Sequence, residues 1–209
     1  MSLDQNPSDD IYWVRLTKQG ARSAFSQLVV AYQRPIYNLC YRMLGDSMAA
    51  EDAAQEVFIR AYFKLDTYDE ARKFSTWLYA IASHYCLDQV KRRRLTLISW
   101  EELAGWQQPY AQPGAQPERT LLAKETEQEV SRLIESLRPA YRMPVILKYW
   151  DGMSCEEIAQ TLDTTVSAVK SKLFRARKMM ARVAAQQEKR PEPALNFGVD
   201  RAIPMAAAV

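Results

Sequence analysis

The chain of 209 residues holds few side chains suited to covalent or metal chemistry: one histidine and three cysteines. His84 alone cannot anchor a Cys/His zinc site or a histidine-rich metal centre. Cys86 lies two positions on, so on a helix the two side chains diverge and make no nucleophile–base pair. Cys40, Cys86 and Cys155 form no CxxC pair and are expected to be reduced thiols acting as small buried hydrophobes. No GxGxxG or P-loop pattern is present. The expectation is therefore a protein that is not an enzyme, with no metal and no cofactor. What the chain does carry is charge gathered in blocks with aromatic residues beside it, which suits recognition of nucleic acid and protein.

The sharpest block lies near the C-terminal end. Ser167, Lys170, Ser171, Phe174, Arg175 and Lys178 recur at helical spacing on one face. From Thr164 to Gln187 there are six basic residues and no acid. Small polar residues at the start of such a helix let it approach base edges, and cations further along meet phosphates. A solvated basic helix normally intersperses acids and carries no phenylalanine on its polar face. A second block runs from Phe74 to Arg94, with Phe74, Trp77 and Tyr79 upstream of Lys91-Arg92-Arg93-Arg94. Rings followed by cations suit opened DNA, where rings stack on bases and cations hold phosphates; the alternative for Phe74 and Trp77 is plain core. A third block, Asp46 to Ile59, has four acids and no base. Asp52 and Glu56 share a helix face with Gln55 beside them, an acidic surface suited to a basic protein partner or simply to solvent.

These blocks need helices to position them. Hydrophobic residues make up 48% of the chain and Gly only 6 positions, a helix-leaning composition. The fold class expected is all-α, in two small helical domains joined by a flexible linker. Apolar spacing predicts helices over 9–18, 21–44, 47–65 and 72–94, the second with Pro35 as a point where it can bend and ended by Gly45. Residues 95–117 lose periodicity and carry Gly and Pro, as a linker does. Helices are expected again over 118–137, 139–151, 154–162 and 165–185, with a distortion at Pro144. Ser154-Cys155-Glu156-Glu157 has the form of a capping box. A short helix, the Asp163-Thr164-Thr165 break and a longer helix with Val166, Val169, Leu173, Ala176, Met180 and Val183 inward make a helix-turn-helix. The tail 188–209 is expected to be disordered. No segment is long and apolar enough for membrane insertion, and the N-terminus has no signal-peptide character.

The run Glu157-Ile158-Ala159 followed by Val169-Lys170-Ser171-Lys172-Leu173-Phe174-Arg175-Ala176-Arg177, with Leu137-Arg138-Pro139-Ala140-Tyr141-Arg142 ahead of it, resembles region 4 of the extracytoplasmic-function (ECF) RNA polymerase sigma factors. Glu51-Asp52-Ala53-Ala54-Gln55-Glu56-Val57-Phe58 resembles sigma region 2.2, and Phe74-Ser75-Thr76-Trp77-Leu78-Tyr79 with the following bases resembles regions 2.3 and 2.4. The resemblance covers roughly residues 9–185, with both modules in the family's order.

The resemblance implies a transcription initiation factor that binds bacterial core RNA polymerase and promoter DNA. It implies domains at 9–94 and 118–187. Glu51, Asp52, Gln55 and Glu56 would dock on polymerase. Tyr68, Asp69, Phe74, Ser75, Trp77, Leu78, Ser83, His84, Lys91, Arg92 and Arg93 would capture and melt the −10 element. Ser167, Lys170, Ser171, Phe174, Arg175, Arg177 and Lys178 would read the −35 element. The 66–73 loop would receive a flipped base. An anti-sigma factor is a further partner the family allows, and the site of action would be the bacterial cytoplasm, with sequestration at the membrane through an anti-sigma factor a further possibility. His84 stands where many relatives have Asn, and Asp163 where many have Gly; Asp tolerates a left-handed turn. The competing reading is a stand-alone dimeric helix-turn-helix regulator, in which the acidic and aromatic segments of the first half have no role.

Overall fold

The computed structural model describes residues 7–103 and 130–188. The described residues form helices and no strand. The first four are α1 (Pro7–Lys18), α2 (Arg22–Leu44), α3 (Ser47–Phe63) and α4 (Phe74–Leu103), with a 3-10 turn at Leu65–Thr67. Residues 130–135 are helical (α5). Then come α6 (Pro139–Tyr149), α7 (Cys155–Thr161) and α8 (Val166–Glu188).

Local sequence sets the breaks. α2 ends because Gly45 adopts φ +73, and its N–H returns to the Tyr41 carbonyl, a left-handed cap that costs a Cβ-free residue little. The next residue, Asp46, caps α3: its carboxylate accepts the Ala49 N–H at 2.7 Å, satisfying one orphan donor. Pro139 sits in the first turn of α6, where its missing N–H costs nothing. Pro35 and Pro144 lie inside α2 and α6, and both helices run through them. The expected linker boundary at residue 95 is corrected: α4 continues to Leu103. No Gly or Pro occurs between Phe74 and Leu103, so loss of apolar period there does not end the helix. The expectations for 104–129 and 189–209 fall outside the described residues.

Apolar stripes from α1 to α4 close over a core built on Val14, Leu28, Ile36, Leu39, Val57, Leu78 and Ala82. A second centre comprises Ile134, Leu137, Met143, Ile146, Leu147, Ile158, Val169, Leu173 and Ala176. The two are continuous, because α4 packs on α6 and α7 and α2 packs on α6. Cys40 and Cys86, far apart in sequence, meet in the first core with Sγ–Sγ 3.6 Å. Both are buried free thiols, and contact with Cys40 together with burial pushes the Cys86 thiol well up.

Candidate nucleic-acid and polymerase interfaces

The helix-turn-helix forms as its sequence requires. Ser154 Oγ accepts the Glu157 N–H at 3.1 Å, and Glu157 Oε2 accepts the Ser154 N–H at 2.8 Å. This reciprocal box starts α7. Asp163 makes the turn at φ +47, a left-handed conformation that a short polar side chain tolerates. Thr165 Oγ1 then accepts the Ala168 N–H at 3.2 Å, which begins α8. Val169, Leu173 and Ala176 are buried, and Val166, Met180 and Val183 are half-buried, so α8 is anchored along one stripe. Ser167, Lys170, Ser171, Phe174, Arg175, Arg177 and Lys178 are all exposed on the remaining surface. Phe174 stands 57% exposed, with Lys178 Nζ 5.7 Å from its ring centroid. An exposed aromatic flanked by cations offers apolar contact to a base while the cations hold the backbone.

Two cations outside the expected set of −35 contacts, Arg138 and Lys172, belong to the same surface. Arg138, just ahead of α6, lines a concavity of about 420 Å³ with Tyr141, Ala168, Ser171, Lys172 and Arg175. Arg138 lies 33 positions before Ser171 in the chain, and only the packing of α6 on α8 brings them together. No local pattern carries that signal.

The segment around α4 divides into surface and core. Trp77 and Ser75 are half-buried, while Asp69, His84, Lys91, Arg92 and Arg93 are exposed. Tyr68, Phe74, Leu78 and Ser83 are buried, so these four expected DNA contacts point into the first domain in this conformation. The reason is an aromatic nest. Phe74 packs edge-on against Tyr32 and Tyr68 at centroid distances of 5.5 Å. Trp77 leans on Phe74 at 5.6 Å and on Tyr68 at 5.4 Å. Tyr68 Oη donates to the Arg72 carbonyl at 2.5 Å, so the 66–73 loop is pinned by its own tyrosine. Burial, then the nearby acids Asp10, Glu70 and Asp69, push the Tyr68 phenol up to about 12. Tyr32 Oη donates to Asp10 Oδ2 at 2.5 Å beneath the nest; burial, offset in part by this bond, holds the Asp10 carboxyl above its ordinary range. Phe74 thus supports Trp77 from below.

On α3, Glu51, Asp52 and Gln55 are exposed and Glu56 is half-buried. Glu56 is held by Arg60 at 2.7 Å, and Arg60 also lies 4.7 Å over the Tyr85 ring. The acidic face left outside that pair is therefore Glu51 and Asp52, with the neutral amide Gln55 beside them, and Ile59 and Phe63 continue it as exposed apolar side chains.

Comparison with known proteins follows the same division. Residues 28–96 match the family model for sigma-70 region 2, and residues 127–180 match that for sigma-70 region 4. The class is thus a two-module sigma-70 transcription factor, and the stand-alone regulator is not favoured. The chain is 38% identical over 172 residues to the ECF RNA polymerase sigma factor SigW of Bacillus subtilis, covering 80% of this chain and 92% of that one. It is 36% identical over 182 residues to the ECF RNA polymerase sigma-E factor of Escherichia coli K12, covering 84% and 93%. The fold is similar to CnrH, solved with the cytosolic domain of CnrY, at TM-score 0.63, 22% identity and 85% and 98% coverage. It is likewise similar to the sigma factor RpoE of Bartonella quintana, solved with the anti-sigma factor NepR, at TM-score 0.62, 20% identity and 77% and 96% coverage. The chain belongs to the ECF RNA polymerase sigma factors. It is a promoter-specificity factor that binds RNA polymerase for transcription initiation.

Proposed function

We propose a division of labour over three surfaces. The α3 face of Glu51, Asp52 and Gln55 docks on a basic surface of core polymerase, with Glu56 held in place by Arg60. Trp77, seated on Phe74 and Tyr68, wedges at the −10 element. Asp69, Ser75 and His84 line the exposed rim, and Lys91, Arg92 and Arg93 take the phosphates of the opened strand. α8 enters the major groove at −35, with Ser167, Lys170, Ser171, Phe174 and Arg175 toward bases and Arg177 and Lys178 toward phosphates. Arg138 and Lys172 extend that backbone contact. The factor acts by binding alone and has no catalytic residue. It works in the bacterial cytoplasm, where polymerase and DNA are; among the described residues no helix is long and apolar enough to cross a membrane. An anti-sigma protein is a fitting partner, since one structural neighbour was solved with such a partner.

The observation that carries this reading is the outer face of α8, acid-free from Ser167 to Gln187, with all seven expected residues exposed while its inner stripe is anchored. The test is run-off transcription with bacterial core polymerase on a randomised promoter library. Selective initiation that Trp77→Ala and Arg175→Ala each impair is the expected result. Initiation indifferent to both changes overturns the assignment of these surfaces.

A further inference from the structure

The loop that the −10 assignment makes the seat of a flipped base has an outside brace in α1. Residues 68–73 of that loop lie outside any helix. Within the loop the bonds are local: Tyr68 Oη reaches the Arg72 carbonyl, and Asp69 Oδ1 accepts the Ala71 N–H at 3.0 Å. α1 adds contacts from 50 and 55 positions away. Arg15 Nε and Nη2 both meet Glu70 Oε2 at 2.8 Å. Lys18 Nζ donates to the Tyr68 carbonyl at 3.4 Å and lies 5.9 Å from the centroid of the Tyr68 ring. Arg15 and Lys18 stand three positions apart, so they share one face of the helix. The adjacent stripe of Asp10, Val14 and Thr17 is buried, and Asp10 is bonded to Tyr32 beneath the aromatic nest. α1 is thus anchored on the core, and its two cations reach out to the loop.

Two physical needs meet at this loop. Taking a base out of the stack is costly, so a receiving pocket gains from being shaped beforehand. Residues without helical bonds would otherwise lose their backbone freedom at the moment of capture. The second need is charge. Residues 66–70 hold three acids, Asp66, Asp69 and Glu70, and no base, which repels DNA phosphates. Arg15 neutralises Glu70, and Arg72 Nε lies 3.7 Å from Asp69 Oδ2. The side chains of Arg15 and Glu70 are 65% and 32% exposed, and a pair so exposed adds little to folding stability. What it does set is the position of the loop.

We propose that Arg15 and Lys18 are positioning residues for −10 base capture: from α1 they hold the 66–73 loop in its receiving shape and offset its acids, without touching the base themselves. The inference rests on the −10 assignment above, with the 66–73 loop as the seat of the base. Arg15 fits this role through its planar fork, whose two N–H groups fix a carboxylate oxygen in direction as well as distance. Lys18 fits it through the backbone, because a bond to the Tyr68 carbonyl holds the chain itself and leaves the loop side chains free.

The test uses the full chain in holoenzyme with bacterial core polymerase. It measures affinity for the −10 non-template strand of a promoter selected by run-off, with an abasic site placed at each position in turn. In the wild-type chain one position should cost the most, and that position marks the captured base. Arg15→Ala combined with Lys18→Ala should weaken binding of the intact strand by about three- to tenfold, the range for two exposed contacts. The same double variant should show no loss on the strand that is abasic at the marked position. Arg15→Lys, which keeps a cation for Glu70, should lie between Arg15→Ala and wild type. An equal loss on both strands assigns the two cations to phosphates or to the fold and overturns the proposal; so does no loss on either. Denaturant unfolding of the double variant should keep the wild-type midpoint, and a midpoint lowered in step with affinity also overturns the positioning role. If no single abasic position weakens the wild-type complex, it is base capture by this loop that fails, and the proposal falls with it.

Discussion

Tyr79 Oη donates to Asp151 Oδ1 across the junction of the two domains, while Asp151 Oδ2 is buried with no hydrogen-bond partner among the described residues. Burial raises the Asp151 carboxyl from 3.8 to about 6, against the opposing pull of the Tyr79 bond and the Arg42 charge. A carboxyl raised in the folded state favours that state when protonated. The contribution is full below the ordinary value and is lost as pH rises through about 6. Glu157 moves the other way: the Lys73 hydrogen bond and the Ser154 backbone hold it below its ordinary range, so its contribution is lost only under more acid conditions. Between pH 7.5 and 5.5 this group should move the folding equilibrium toward the folded chain by roughly fourfold. Denaturant unfolding across that range would measure it, and Asp151→Asn should flatten the profile.

Arg138 should behave as a phosphate contact. It faces the same concavity as Ser171, Lys172 and Arg175, and cations that meet phosphates release counterions. Removing one such contact lowers the slope of log affinity against log salt by about 0.9. Arg138→Ala should therefore weaken binding of the holoenzyme to −35 DNA uniformly across sequences and flatten that slope. Arg175→Ala should instead relax base preference, at a cost of about 1–3 kcal/mol if it contacts guanine. A titration series at several salt concentrations separates the two. An unchanged slope for Arg138→Ala would remove it from the interface.

The division between surface and core in the −10 segment predicts two kinds of mutant. Phe74 is 2% exposed and Leu78 fully buried, so Phe74→Ala and Leu78→Ala should each cost about 2–5 kcal/mol of stability. Trp77 is half-buried at the top of the nest, so Trp77→Ala should lose promoter opening with a smaller loss of stability. Denaturant unfolding beside permanganate footprinting of the opened strand distinguishes these effects. Equal stability losses in all three would mean that Trp77 is core as well.

The same contrast explains what was legible in the chain. α2, α3, α7 and α8 announced themselves because Gly45, Asp46, the Ser154/Glu157 box and the 169–176 stripe are local signals of cap and period. The α8 reading face was legible because one helix holds both its anchored and its outer residues. The end of α4 was not, since absence of a breaker is weaker evidence than presence of one. Core was one of two open readings for Phe74, and spacing within 66–83 could not decide it, because the packing partner is Tyr32 of α2; the burial of Tyr68 was not foreseen. Arg138, the Cys40–Cys86 contact and the Tyr79–Asp151 bond join residues 33 to 72 positions apart, and only tertiary packing defines them.

Asp163 offers a test of the turn that aims α8. It is the one described non-glycine residue at positive φ, at +47, and the Thr164 N–H returns to the Ala159 carbonyl at 2.9 Å beside it. Left-handed backbone costs an ordinary L-residue roughly 1–2 kcal/mol, and less for Asp, whose short polar side chain can bond locally. Glycine escapes that penalty but adds freedom to the unfolded chain. Asp163→Gly should thus leave stability within about 1 kcal/mol, while Asp163→Val should lose about 1–2 kcal/mol. Because the turn sets the angle between α7 and α8, the valine variant should also weaken −35 binding more than its stability loss explains. Thermal unfolding paired with duplex affinity of the holoenzyme decides it. If valine shifts neither, the turn has a second conformation available and does not fix the recognition helix.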